Sequence, residues 1–98
     1  MNILVVNKGN VELKSLNGFI FKTISTKAKF AYFNHDNSLV LITKENGDVE
    51  IRKENGYLIK TISTSAINAV WNKDDLIISL KNGKTEFRKQ NGYVFKTI

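Results

Sequence analysis

One short pattern recurs three times and governs what this chain can fold into: NGFIFKTIST at 17–26, NGYLIKTIST at 55–64 and NGYVFKTI at 91–98. Self-similarity at a period of a few tens of residues marks one supersecondary unit stacked into an array. The repeat is wider than these strings. Gly9, Gly47 and Gly83 stand 38 and 36 residues apart, and each precedes a second glycine, Gly18, Gly56 or Gly92, by nine residues. Between the two glycines lies a matching tetrad: Val11-Glu12-Leu13-Lys14, Val49-Glu50-Ile51-Arg52 and Thr85-Glu86-Phe87-Arg88. An apolar run precedes each first glycine, at 3–6, 39–42 and 76–80, the last interrupted by Ser79. The second and third units also carry a leading segment, AKFAYFNHD from Ala28 and AINAVWNKD from Ala66. The first unit begins at its apolar run.

The turn chemistry selects strands over helices. Asn precedes Gly at 17–18, 46–47, 55–56, 82–83 and 91–92. Both residues tolerate positive φ, so Asn-Gly between apolar runs predicts hairpins closed by type I′ turns. The chain has no proline, so no ladder donor is missing. A full unit then reads as four strands, a to d. Strand a spans 30–33 or 67–71, and b is the apolar run, apolar on both faces as suits a strand covered twice. Strand c alternates, with Val49 and Ile51 facing one way and Glu50 and Arg52 the other. In strand d, Tyr57 and Ile59 share one face, with Leu58, Lys60 and Ile62 on the opposite one. The abundance of β-branched and aromatic residues agrees.

Taken together, AINAVWNKDD, LIISL and KNGKTEFRKQNGYVFKTI resemble the WD-repeat type of β-propeller blade. The matching features are a small-apolar strand ending near Trp71, an Asn-x-Asp turn, a buried strand, two glycine turns around a V-x-I-type strand, and a last strand ending in Thr-Ile. The eponymous Trp-Asp pair is replaced by Arg52-Lys53 and Arg88-Lys89, and the Gly-His dipeptide is missing, so the polar network of that family is not carried over. The resemblance implies an all-β chain of antiparallel, four-stranded, propeller-like blades, about two and three-quarters of them in a single repeat domain. Residues 1–26 form a blade lacking its first strand, 27–64 the second blade and 65–98 the third. Propellers need about four to eight blades to close. Oligomerisation into a six-bladed ring, a two-fold dimer, is therefore the economical expectation. The missing first strand would come from the termini of a neighbouring chain or from a longer native polypeptide. The last copy stops without the Ser-Thr that follows elsewhere, which fits a fragment or a split gene.

Composition excludes several classes. The chain has 98 residues, 42% hydrophobic, which suits one small globular domain and not disorder. It has no cysteine, so disulfide and thiol chemistry are excluded. No apolar stretch approaches a membrane span and the N-terminus lacks signal-peptide features, so a cytoplasmic protein with no membrane partner is expected. Fifteen Lys and Arg against nine Asp and Glu give a charge of +6, which favours polyanions such as nucleic acid. Basic residues spread through a repeat are more often a solvated surface.

Chemistry-bearing constellations are scarce. The single histidine, His35, lies in a turn where the next repeat has Lys73, and it reads as a polar turn residue and not a general base. Asp36, Asp74 and Asp75 lack the ligand count and spacing of a calcium loop. No catalytic residue, metal or cofactor is expected, and the chain is read as a non-enzyme. The candidate contacts are Trp71 and Phe33, at equivalent positions of strand a, with the recurrent pairs Glu50 and Arg52, Glu86 and Arg88, whose side chains leave the strand on one face. As structure, these aromatics fill the blade core and the pairs form charge ladders, and this reading is the stronger. As function, they supply the aromatic platform and the Arg and Glu that propeller lectins place between blades. The expected function is a self-associating binding or scaffolding module, with itself as first partner and another protein as second. A glycan-binding lectin and a nucleic-acid or polyanion binder are the alternatives.

Overall fold

The computed structural model describes residues 2–98. Every element is a strand: β1 (Asn2–Asn7), β2 (Asn10–Ser15), β3 (Ile20–Ser25), β4 (Ala28–Phe33), β5 (Leu39–Lys44), β6 (Val49–Lys53), β7 (Leu58–Ser63), β8 (Ala66–Asn72), β9 (Asp75–Leu80), β10 (Thr85–Arg88) and β11 (Val94–Thr97). They form three antiparallel sheets in sequence order, β1-β2-β3, β4-β5-β6-β7 and β8-β9-β10-β11. Each sheet is a meander in which every strand pairs with its sequence neighbour, so every connection within a sheet is a hairpin.

The hairpins are built differently from the expectation of type I′ turns. All five Asn-Gly asparagines keep negative φ, and only their glycines enter the left-handed region. In the loop after β5, Gly47 N–H donates to the Lys44 carbonyl at 3.0 Å and Lys44 N–H to the Asp48 carbonyl at 2.8 Å. This is a three-residue loop, a type I turn followed by a left-handed glycine. It confines the positive φ to the one residue that has no Cβ. The asparagine side chain is left to hold the turn: Asn46 Oδ1 accepts from Asp48 N–H, and Asn55, Asn82 and Asn91 accept likewise from Tyr57, Lys84 and Tyr93 at 2.9–3.0 Å. Asparagine recurs here as an acceptor that mimics a backbone turn. The one two-residue loop with positive φ at both positions is Lys8-Gly9, which contains no asparagine.

Six-residue strands span about 20 Å and a four-stranded sheet about 19 Å. Of the molecule's 42 × 25 × 19 Å dimensions, only the longest has room for sheets stacked face to face. Two apolar layers hold the stack. Val11, Leu13, Ile24, Ala28, Val40 and Ile42 fill the first, between the first and middle sheets. Leu41, Val49, Ile51, Ile62, Ala66, Ala69, Leu76 and Ile78 fill the second, between the middle and third sheets. β5 therefore divides its side chains between two cores, Val40 and Ile42 on one face and Leu41 on the other, all fully buried. That explains a run apolar on both faces.

The linkers between sheets lock adjacent hairpin loops. Ala28 N–H donates to the Gly9 carbonyl at 2.8 Å, and the Lys27 carbonyl accepts from Glu45 N–H at 2.8 Å. The next linker repeats both bonds, Ala66 N–H to Gly47 and Lys81 N–H to the Ser65 carbonyl, each at 2.9 Å. Strand d departs from its expected alternation. Leu58, Ile59, Lys60 and Thr61 are all exposed, while Ile62 and Ser63 are buried side by side. β7 is an edge strand, and register shifts against β6 bring both of its last residues inward.

Candidate functional site

The face of the third sheet that meets the middle sheet carries Leu76 and Ile78 on β9, with Glu86 and Arg88 beside them on β10, Glu86 opposite Ile78 and Arg88 opposite Leu76. Strand alternation puts both charged side chains on the buried side, and each keeps only 17% of its side-chain surface. Such groups must be paired. Arg88 Nη2 and Nε donate to Glu86 Oε1 at 2.7 and 3.0 Å, and Nη1 donates to the carbonyls of Ile62 at 2.7 Å and Gly92 at 3.2 Å. The guanidinium joins its own carboxylate, its own hairpin loop and the outer strand of the neighbouring sheet.

Above this pair opens a cleft of about 710 Å³ between β7 and the linker on one side and β9 and β10 on the other. Its wall combines Ser63 and Thr64, the apolar side chain of Leu80, the Lys81 residue and the Glu86–Arg88 pair. The volume falls within the range of small-molecule sites.

Among the expected contacts, the structure brings Glu86 and Arg88 into this cleft. Glu50 and Arg52 are paired in the same way at 3.0 Å, and Arg52 Nη1 donates to the Gly56 carbonyl at 2.8 Å, which braces the loop of the middle sheet. Trp71 is separate from the cleft. It packs against the second core layer, and its indole Nε1–H donates to the Tyr32 carbonyl of the middle sheet at 2.9 Å. Phe33 packs against the first core layer. Sequence reasoning missed the lining contributed by Ser63, Thr64, Leu80 and Lys81. The hydroxyl pair belongs to the recurring KTIST string and reads as plain repetition, and Leu80 and Lys81 stand where the preceding unit has Lys44 and Glu45. That departure from the repeat was the signal that could have found them.

The first sheet carries the equivalent pair, Glu12 and Lys14, on its outward face. Lys14 Nζ stands 3.5 Å from Glu12 Oε1, and that buried oxygen has no hydrogen-bond donor among the described residues. Among these residues there is also no group of three or more His, Cys, Asp or Glu side chains placed to share a metal ion, and no helix long and apolar enough to cross a membrane. Compared with known proteins, the chain matches no protein-family model, and no curated protein is significantly similar to it.

Proposed function

We propose that this chain is a non-enzymatic binding module whose three sheets are blades of a propeller-like ring, closed by association with a second copy. The observation that carries this reading is the contrast between positions that repeat along the stack. In the middle sheet Leu41, Val49 and Ile51 are sealed against the next sheet. Their counterparts Ile77, Thr85 and Phe87 on the outward face of the third sheet are only partly covered. The loops repeat the contrast. Gly9 and Gly47 lie against the linker to the next sheet and Gly56 and Gly92 against the preceding sheet, whereas Gly83 at one end and Gly18 at the other have nothing within 4 Å. Each end of the stack thus has the surface that a neighbour covers elsewhere, and the two ends are of opposite kind. Ile3 and Val5 on the first sheet occupy the positions of Val40 and Ile42, which face the preceding sheet, and Ile3 is 39% exposed.

Opposite ends that recur without being self-complementary call for head-to-tail contact, which makes a ring when the rotation closes. Two chains contribute six sheets, within the range of closed propellers. Light scattering after gel filtration tests this reading: the expected particle has twice the 11.1 kDa mass of one chain. Ile77→Lys, which puts a charge on the outward face of the third sheet, is expected to return it to single-chain mass with strand content intact. A wild-type protein that stays at single-chain mass at 100 µM, roughly a concentration at which even micromolar contacts are populated, would sink the ring.

A further inference from the structure

The two inter-sheet clefts are built from the same repeat, yet only one of them is filled. In the first cleft Lys44 reaches across from β5, donating from Nζ to Ser25 Oγ at 3.0 Å and to the Thr26 carbonyl. In the second cleft the counterparts Ser63 and Thr64 are present, but Leu80 replaces Lys44 and cannot make either bond. Ser63 Oγ turns to donate to the Thr64 carbonyl instead, at 3.2 Å. The carbonyl that called for an ammonium is thereby satisfied locally, and the space of the lysine chain is left open.

The charge in the open cleft is also arranged differently. Glu45 becomes Lys81, whose ammonium lies over Gly47: a Cβ built on that glycine would stand 3.1 Å from Nζ. Arg88 is committed to Glu86 and to two carbonyls, whereas Lys81 makes no ion pair or side-chain hydrogen bond among the described residues. A partly enclosed site with one uncommitted cation at its rim, several hydroxyl-bearing residues and an apolar wall at Leu80 favours a ligand with an anionic group and hydroxyls of its own.

We propose that the cleft between the middle and third sheets binds a small hydroxyl-bearing anion, a sugar acid or sugar phosphate, with Lys81 as its charge partner and Leu80 as the wall along which its carbon skeleton lies. The site lies within one chain, so it does not depend on ring closure. It is tested by titrating ¹⁵N-labelled full-length protein with glucuronate, glucose 6-phosphate and neutral glucose. The expected result is saturable amide shifts at 63–65 and 80–82 for at least one anion, with glucose at least about tenfold weaker, the loss of one charge-assisted contact. Glucuronate alone identifies a carboxylate ligand, and glucose 6-phosphate alone a phosphate one. Leu80→Lys, which restores the plug of the first cleft, and Lys81→Gln, which removes the charge and keeps the main-chain bond to Ser65, are each expected to weaken binding at least about tenfold. No saturable shift with either anion, equal binding of glucose, shifts centred on 25–27 and 44–46, or undiminished affinity in Lys81→Gln would each overturn the proposal.

Discussion

Arg88 Nη1 donates to the main-chain carbonyl of Ile62 across the boundary between the third and middle sheets, at 2.7 Å. Arg52, its counterpart one repeat earlier, holds its own loop carbonyl at Gly56 and makes no such bond to the preceding sheet among the described residues. The same residue type in the same repeat position thus braces its own loop in both sheets, and only Arg88 adds an inter-sheet joint. Arg88→Met keeps the aliphatic stem and removes all of these donors. It is expected to lower unfolding free energy by about 2–3 kcal/mol, since a half-buried Glu86 carboxylate also loses its partner. Arg52→Met should cost less, about 1–2 kcal/mol. Urea melts of both variants check the order, and equal losses would count against the inter-sheet role of Arg88.

Trp71 ties the same two sheets at their other edge, through the bond from its indole N–H to the Tyr32 carbonyl. Phenylalanine preserves most of the packing against Leu76 and its neighbours but cannot donate. Trp71→Phe is therefore expected to cost about 1 kcal/mol, the net worth of one hydrogen bond. Trp71→Ala, which also removes the ring, should cost about 3 kcal/mol or more. A Trp71→Phe variant as unstable as Trp71→Ala would mean that indole shape, and not the donor, matters.

The strand-forming character of every segment and the two-faced burial of Val40, Leu41 and Ile42 were legible in the sequence, because period and apolar run length report directly on which faces are covered. The hairpins were legible as hairpins but not by type. Asn-Gly suits both a two-residue I′ loop and a three-residue loop with left-handed glycine, and the choice rests on how many residues separate the closing strand pairs. The Glu-Arg pairs were legible as same-face neighbours. Their partners were not, because the Ile62 carbonyl comes from 26 residues away. The open cleft was hidden for the opposite reason: it arises where the repeat fails, at Leu80 and Lys81, and repetition draws attention to what stays the same.

The aromatic after the second glycine of each unit is the most conspicuous repeated side chain, yet it contributes little to the fold. Phe19, Tyr57 and Tyr93 are 63%, 65% and 65% exposed on the outer edge of their sheets. Tyr57→Ser is expected to change stability by no more than about 0.5 kcal/mol. Ile51→Ala, six residues earlier and 2% exposed in the second core layer, should cost about 2–4 kcal/mol. Chemical denaturation of the two variants side by side tests the contrast. A large loss at Tyr57 would reveal a packing partner for this edge.

Asp36 makes the acid response readable at one group. Its carboxylate is held below the ordinary aspartate range mainly by the Ser38 hydroxyl, which donates to Oδ1, and then by Ser38 N–H. A depressed folded-state pKa means that the contribution is complete above the unfolded value near 3.8 and is lost as pH falls through the folded value. The carboxyl is fully exposed, so the effect is confined to the acid limb and is screened by salt. NMR titration of the Asp36 side chain should give a midpoint below 3.8, moving up toward it in Ser38→Ala. A midpoint unchanged by Ser38→Ala would remove the turn hydroxyl as the cause.

Gly47 and Gly18 share a left-handed backbone, φ 96° and 92°, but differ in surroundings. A Cβ on Gly18 meets open space, so Gly18→Ala carries the conformational penalty alone, about 1–2 kcal/mol. A Cβ on Gly47 would stand 3.2 Å from both the Ala66 nitrogen and the Ser65 Cα, backbone atoms of the linker that hydrogen-bonds the Gly47 carbonyl. Backbone cannot turn aside as a side chain does, so Gly47→Ala must displace the linker, weaken its bond from Ala66 and loosen the seam between the middle and third sheets. The expected loss exceeds that of Gly18→Ala by at least about 1 kcal/mol, one net hydrogen bond. Hydrogen exchange separates local from global effects. In Gly47→Ala the Ala66 amide should lose protection ahead of the β5 amides, and in Gly18→Ala it should not. If both variants lose the same stability and leave Ala66 equally protected, the linker contact contributes nothing to joining the sheets.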